Sequence, residues 1–198
     1  VAKTFPAEFG LLANDLAIQV HGGYGYTRDF DVEQLYRDNR LNPIHEGTSG
    51  IQSLDLLGRK IIGDSGESLK IFTKRVVKTC DQAIRTSLKS DANYLLEVIE
   101  NLERVCEILI NSKDSNTLAN SSAFLTGFGH IVVGWIWLDM AIVALSQKDE
   151  DHYGQPFLNG KIATMRYFFE CELPKADMLL NFVAKKSDVV SSVKTEFF

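Results

Sequence analysis

The sequence predicts an all-α fold, and three observations lead there. Only four prolines interrupt 198 residues. β-Branched residues nowhere alternate with polar ones over a long run, and apolar residues recur at the three-four spacing of a helical face in one segment after another.

The first helix is expected over residues 7–20, where Leu11, Leu12, Asp15, Leu16 and Gln19 fall at helical spacing before Gly22-Gly23-Tyr24-Gly25 stops it and reads as a loop. A short helix follows over about 32–40 and is broken by Asn42-Pro43. Thr48-Ser49 then caps a third helix expected to run to about residue 62. Gly63-Asp64-Ser65-Gly66 reads as a linker. Beyond it come four long segments. Over 69–88, Leu69, Phe72, Val76, Cys80, Ala83 and Ile84 share a face; over 95–110, Leu95, Val98, Ile99, Leu102, Val105, Cys106 and Leu109 do the same. The stretch 118–145 is apolar nearly all round and is expected to be the central helix. The last, 158–183, contains Pro174, whose missing N–H predicts a kink or break near Glu170. Four helices with short connections predict an antiparallel, up-down four-helix bundle over 66–198, preceded by the end of another helical domain over 1–62.

A net charge of −5 and a pI near 5.4 argue against electrostatic capture of nucleic acid, which usually needs a basic face. Cys80, Cys106 and Cys171 are odd in number and widely spaced, so neither a disulfide framework nor a zinc site is predicted, and a reducing compartment fits. The most apolar stretch, 131–145, falls short of the roughly 20 residues a membrane span needs and carries Asp139, so it reads as a buried helix with no membrane span. Val1-Ala2-Lys3-Thr4-Phe5-Pro6 has no signal-peptide pattern and no initiator Met, which fits a piece of a longer protein.

The informative stretch runs from Gln19 to Ile61. A dinucleotide fingerprint at Gly22-Gly23-Tyr24-Gly25 fails on context, because such a fingerprint follows a strand and this run follows a helix. Gln19-Val20-His21-Gly22-Gly23-Tyr24-Gly25-Tyr26, then Arg37-Asp38, then His45-Glu46-Gly47-Thr48-Ser49-Gly50-Ile51-Gln52 resemble, in order and spacing, the acyl-CoA dehydrogenase family. The resemblance is strongest over 1–62, the end of that family's catalytic C-terminal domain. The phrase Ile51-Gln52-Ser53-Leu54-Asp55-Leu56-Leu57-Gly58-Arg59-Lys60 is similar to the larger bacterial members with an extra helical domain (acetyl-CoA dehydrogenase C-terminal-like), the branch that includes methylmercaptopropionyl-CoA dehydrogenase.

The resemblance implies that Glu46 removes the α-proton of an acyl-CoA thioester while the β-hydrogen leaves as hydride to FAD. It further implies that the Glu46 backbone N–H helps hold the enolate oxygen, that Gly47 lets the backbone approach the substrate, and that Thr48, Ser49 and Gly50 lie against the flavin. Gln19, Val20, His21, Gly22 and Gly23 are implied to touch the adenosine and pyrophosphate of an FAD held mainly by a neighbouring subunit. A homo-oligomer (dimer or tetramer), an electron-transfer flavoprotein as acceptor, and a location in a bacterial cytoplasm or a mitochondrial matrix follow on the same basis. The family's N-terminal helical and middle β-domains are absent from these residues, so 1–198 alone is expected to be inactive and not to retain FAD. His45 stands where many members have Tyr, Gly50 where many have Gln or Glu, and Ser53 where many have Arg.

The chemistry accounts for the residue types. A thioester α-proton is weakly acidic, so its base is expected in a dry site, and the enolate requires preorganised donors. Arg37 and Asp38, adjacent on a helix, are expected to meet different partners as structural residues. His21 and His45 have no third ligand at metal spacing. His130 is expected in the core, and Trp135 and Trp137 in the core or an interface. Two rival readings accompany the dehydrogenase: a non-catalytic helical oligomerisation module, and an acyl-CoA oxidase.

Overall fold

The computed structural model describes residues 1–147 and 154–198. It is all-α, with no strand among the described residues. α1 (Thr4–His21) leads through a 3-10 turn (Gly22–Tyr26) to α2 (Val32–Asn39), and an irregular turn follows. α3 (Ser49–Leu54) then passes into a π-helical stretch (Asp55–Ile62). The bundle comprises α4 (Glu67–Ala83), α5 (Lys89–Ile110), α6 (Ser121–Ser146), α7 (Gln155–Tyr167) and α8 (Pro174–Ala184).

Several expected boundaries move. α1 begins at Thr4 rather than Ala7, and the glycine run after it is a 3-10 turn rather than an open loop. The third helix reaches Ile62 as expected but changes to π geometry on the way, with Gly63 N–H reaching the Gly58 carbonyl five residues back. Periodicity alone cannot announce that one-residue slip. α4 ends at Ala83 instead of near 88, where the Thr86 hydroxyl turns back to the Ala83 carbonyl. A 3-10 turn over Ser115–Leu118 precedes α6, which therefore starts later than expected. The Pro174 expectation holds: a π segment over Phe168–Glu172 separates α7 from α8, and Leu173 N–H bonds the Phe168 carbonyl. The extra residue in that turn accommodates the proline's missing donor and its ring.

α6 is the axis of the structure and packs against α3, α4, α5, α7 and α8. At 26 residues it is long and apolar enough to cross a membrane, which corrects the argument from the shorter stretch 131–145. Here its Phe124, Ile131, Leu138 and Ala141 are fully buried among other helices. Its Gly129 accepts the ring of Phe5 where a Cβ would collide with it, and so docks the start of α1 on the bundle. His130 next to it is buried, as expected of a core histidine, but only half satisfied. Nδ1 bonds the Thr126 carbonyl, while Nε2 faces Glu172 Oε2 at 3.5 Å outside hydrogen-bond geometry. Trp135 donates its indole N–H to Thr79 Oγ1 at 2.8 Å, tying α6 to α4.

The core does not stop at the Gly63–Gly66 junction. Leu57 and Ile61 of the π stretch are buried in the same cluster as Val76, Leu102, Leu109 and Phe124. Each such side chain contributes roughly 1.5–3 kcal/mol by leaving water. This sharing fixes α3, and with it the turn before it, against the bundle.

Candidate functional site

In the turn from Asn42 to Thr48, backbone N–H groups bond backbone carbonyls only as far as His45, so the shape of its second half comes from side chains around it. Pro43 is buried, and the His45 N–H and Nδ1 both meet the Leu41 carbonyl. Glu46 adopts φ 54° and Gly47 φ 97°. The first is rare for a residue with a Cβ and the second suits glycine alone. A Cβ at Gly47 would also sit 2.8 Å from Gln52 Nε2.

Three side chains hold this strained turn. Gln52, one turn into α3, donates Nε2–H to the Glu46 carbonyl at 3.0 Å. Lys3, at the start of α1, donates from Nζ to the Gly47 carbonyl at 2.7 Å. Ser49 donates its hydroxyl to the Glu8 carboxylate, one and a half turns further along α1. Thr48 occupies the N-cap position of α3, yet its hydroxyl makes no cap bond, so the side-chain capping expected of Thr48 and Ser49 is not the role either plays. The Glu46 N–H makes no hydrogen bond among the described residues and remains free for a ligand oxygen.

The turn and α1 enclose a cleft of about 250 Å³ lined by Lys3, Pro6, Ala7, Asn39, Asn42, His45 and Glu46. The Glu46 side chain is exposed at its edge, not in the dry surroundings expected for the base. The sequence-predicted group Glu46, Gly47, Thr48, Ser49 and Gly50 is thus brought together in one turn. Gln19, Val20, His21, Gly22 and Gly23 are not part of it. They lie at the far end of α1, and roughly 24 Å of helix axis separates Lys3 from Gln19 at 1.5 Å per residue.

That far end of α1 is open to solvent. The Gln19 side chain makes no hydrogen bond among the described residues, Val20 is 85 % exposed, and a Cβ at either Gly22 or Gly23 would meet open space. The backbone there is accessible. His21 is engaged within α1 and with the loop after it: its Nδ1 turns back to the Ala17 carbonyl and its ring packs on Phe30. Arg37 lines a separate cleft of about 620 Å³ with Arg28 and Arg40, and none of the three guanidinium groups forms an ion pair among the described residues.

Sequence reasoning missed Lys3, Glu8 and the grip of Gln52. Lys3 and Glu8 read as ordinary solvated residues at a helix start, and only the fold brings them to a turn some forty residues later. Gln52 carried a signal, its place in the motif, but no role was drawn from it.

Comparison with known proteins defines the family. Residues 72–194 match the family described as acetyl-CoA dehydrogenase C-terminal like, and residues 1–62 match the acyl-CoA dehydrogenase C-terminal domain. The chain belongs to the acyl-CoA dehydrogenase family. Among its relatives, a 3-methylmercaptopropionyl-CoA dehydrogenase of Ruegeria pomeroyi is 32% identical over 85% of this chain and 29% of that protein. A broad-specificity linear acyl-CoA dehydrogenase of Mycobacterium tuberculosis is 27% identical over 80% of this chain and 28% of its own length. A caffeyl-CoA reductase-Etf complex subunit of Acetobacterium woodii is 50% identical over 61 residues, 29% of this chain and 15% of that protein. The chain therefore spans less than a third of the curated relatives it matches.

Proposed function

We propose that this chain is part of an FAD-dependent acyl-CoA dehydrogenase, which converts an acyl-CoA thioester to the trans-2-enoyl-CoA, and that Glu46 is its base. The observation that carries the reading is the strained, externally held turn at Glu46 and Gly47, with a carboxylate and an unpaired backbone N–H on the same residue.

In this reading the Glu46 carboxylate receives the α-proton. The Glu46 N–H donates to the thioester carbonyl as negative charge develops on its oxygen, a donor already in place before reaction. Gly47, lacking a side chain, leaves room for the thioester beside that N–H, and Pro6 and Ala7 supply the apolar part of the cleft lining. Gln19, Gly22 and Gly23 would hold the adenosine and pyrophosphate end of FAD, and Thr48, Ser49 and Gly50 its flavin end. The bound flavin supplies the acceptor for the β-hydride. Residues 1–62 carry these contacts, and 66–198 form the accessory bundle. An electron-transfer flavoprotein as acceptor is supported by the Etf complex in the name of the Acetobacterium relative. A homo-oligomer, in which a neighbour holds most of the FAD, is part of the same proposal.

The test is Glu46→Gln in the whole enzyme, which keeps shape and hydrogen bonding but removes the basic carboxylate. Anaerobic stopped-flow bleaching of the flavin by acyl-CoA should slow by roughly 10²- to 10⁴-fold, with acyl-CoA binding retained. Bleaching at the wild-type rate sinks the assignment.

A further inference from the structure

We propose that Lys3 is a positioning residue for the Glu46 turn, its ammonium group on the Gly47 carbonyl fixing where the Glu46 carboxylate and N–H face the cleft; this rests on the reading of Glu46 as base. The turn has two residues at positive φ, and its backbone N–H bonds stop at His45, so the Glu46 and Gly47 carbonyls are held by side chains alone. Gln52 holds the Glu46 carbonyl, but from the helix that the turn itself starts, so it moves with the turn. Lys3 comes from α1, the opposite wall of the cleft, and alone among the three clamps it joins a turn carbonyl to that wall.

The chemistry suits the task. A charge-assisted bond to a carbonyl is roughly twice as strong as a neutral one. Lys3 forms no ion pair among the described residues, so its charge is not spent on the Glu46 carboxylate, whose basicity would suffer from a direct partner. The anchor of Lys3 is itself rigid. Two residues on, Phe5 is buried on Gly129 of α6 and stacks on Phe9 at 4.2 Å, so the start of α1 is referenced to the bundle core. The path from bundle to base is therefore Gly129, Phe5, Lys3, Gly47 and Glu46.

Two variants and two measurements test this. Lys3→Met keeps the apolar stem and loses the donor; Lys3→Arg keeps a charged donor. In the 198-residue chain, hydrogen exchange of the Gln52 backbone amide, whose bond to the Thr48 carbonyl closes the turn onto α3, should speed by about tenfold in Lys3→Met, as expected for loss of one charge-assisted bond. Exchange in α5 and the thermal midpoint should stay at wild-type values, and Lys3→Arg should restore most of the local protection. In the whole enzyme, Lys3→Met should slow flavin reduction at saturating acyl-CoA about 10- to 100-fold, the scale of a small misplacement of a reacting group, with acyl-CoA affinity unchanged and Lys3→Arg largely rescuing the rate. The proposal is overturned if Lys3→Met leaves local exchange at the wild-type level, if α5 opens together with the turn, or if only substrate affinity falls. A wild-type enzyme whose flavin no acyl-CoA bleaches, or a Glu46→Gln enzyme as fast as wild type, defeats the reading of Glu46 instead. The exchange result then still decides whether Lys3 holds the turn.

Discussion

Ser53 Oγ lies 3.1 Å from Ser121 Oγ, and both residues are buried where α3 meets the first turn of α6. Ser53 is wholly inaccessible and also bonds the Gly50 carbonyl at 2.8 Å, with Ser122 Oγ at 3.3 Å. Position 53 is one at which the family resemblance leads one to expect arginine where this chain has serine. Its surroundings give the reason: the face that would carry a long charged side chain into water is covered by α6. A guanidinium there would have no carboxylate partner and no route to solvent.

Ser53→Arg should therefore cost about 3–5 kcal/mol, the range for an uncompensated buried charge, and should separate α3 from α6. Ser53→Ala removes hydrogen bonds but fits the space, so a cost of about 1 kcal/mol is expected. Urea denaturation of both variants, followed by the fluorescence of Trp135 and Trp137, measures the difference. Equal stability of the two would show that α6 does not seal this position.

Leu57 tests the continuity of the core in the same way. It is fully buried among residues of α4, α5 and α6, although it belongs to the segment that precedes the bundle. Leu57→Ala should lower stability by about 2–5 kcal/mol, as cavity-forming substitutions do, and should shift the tryptophan and helical circular-dichroism transitions together. Two separate transitions would mean that 1–62 and the bundle unfold independently.

The helices were legible because burial leaves a period in the sequence. The apolar positions of α4 and α5 that share a face, such as Val76 and Cys80 or Leu102 and Cys106, are the ones found at 0% exposure. Pro174 announced a break for the same kind of local reason. The π geometry over Asp55–Ile62 left no comparable mark, since one extra residue shifts the phase without changing composition. At the site, Glu46, Gly47 and their neighbours were legible as a contiguous motif. Lys3 and Glu8 were not, because their meaning lies in a contact made only after α1 folds back across the turn. His130 was placed correctly in the core, but its unpaired Nε2 depends on where Glu172 falls, which no local pattern specifies.

The three thiols should divide by environment. Burial pushes the Cys80 thiol from 9.0 up to about 11 and the Cys106 thiol up to about 12, whereas Cys171 is exposed on the π segment. One thiol per native chain should react with a thiol-specific disulfide reagent at neutral pH, and three after denaturation. The sign of the pH effect follows. A buried thiol keeps its proton in the folded state after the unfolded chain has begun to lose its own, so folding binds protons. Stability from this source is complete below about pH 8.5 and declines as pH rises toward about 11 and 12, where the folded thiols ionise. Cys106→Ala should flatten that decline in denaturation midpoints measured across the alkaline range. An unchanged slope would assign the alkaline loss to other groups.

Gly47 is where backbone strain and chemistry meet. At φ 97° a residue with a Cβ is strained, and that Cβ would sit 2.8 Å from Gln52 Nε2, the group that holds the Glu46 carbonyl. Gly47→Ala must either push the Gln52 amide away or rotate the turn out of its conformation, at a cost of order 1–3 kcal/mol. Both routes disturb Glu46 while leaving the bundle core untouched. In the 198-residue chain the expected result is faster hydrogen exchange at the Gln52 backbone amide with protection retained in α5 and α6. In the whole enzyme it is a fall in flavin-reduction rate of about 10²-fold. Combining Gly47→Ala with Lys3→Met gives the sharper measurement. If Lys3 and Gly47 act on the same conformation of the turn, the double variant should lose less than the product of the two single losses, because residues sharing one contact are not additive. Full additivity would place their effects in separate parts of the site, and the path from α1 through Lys3 to Glu46 would have to be abandoned.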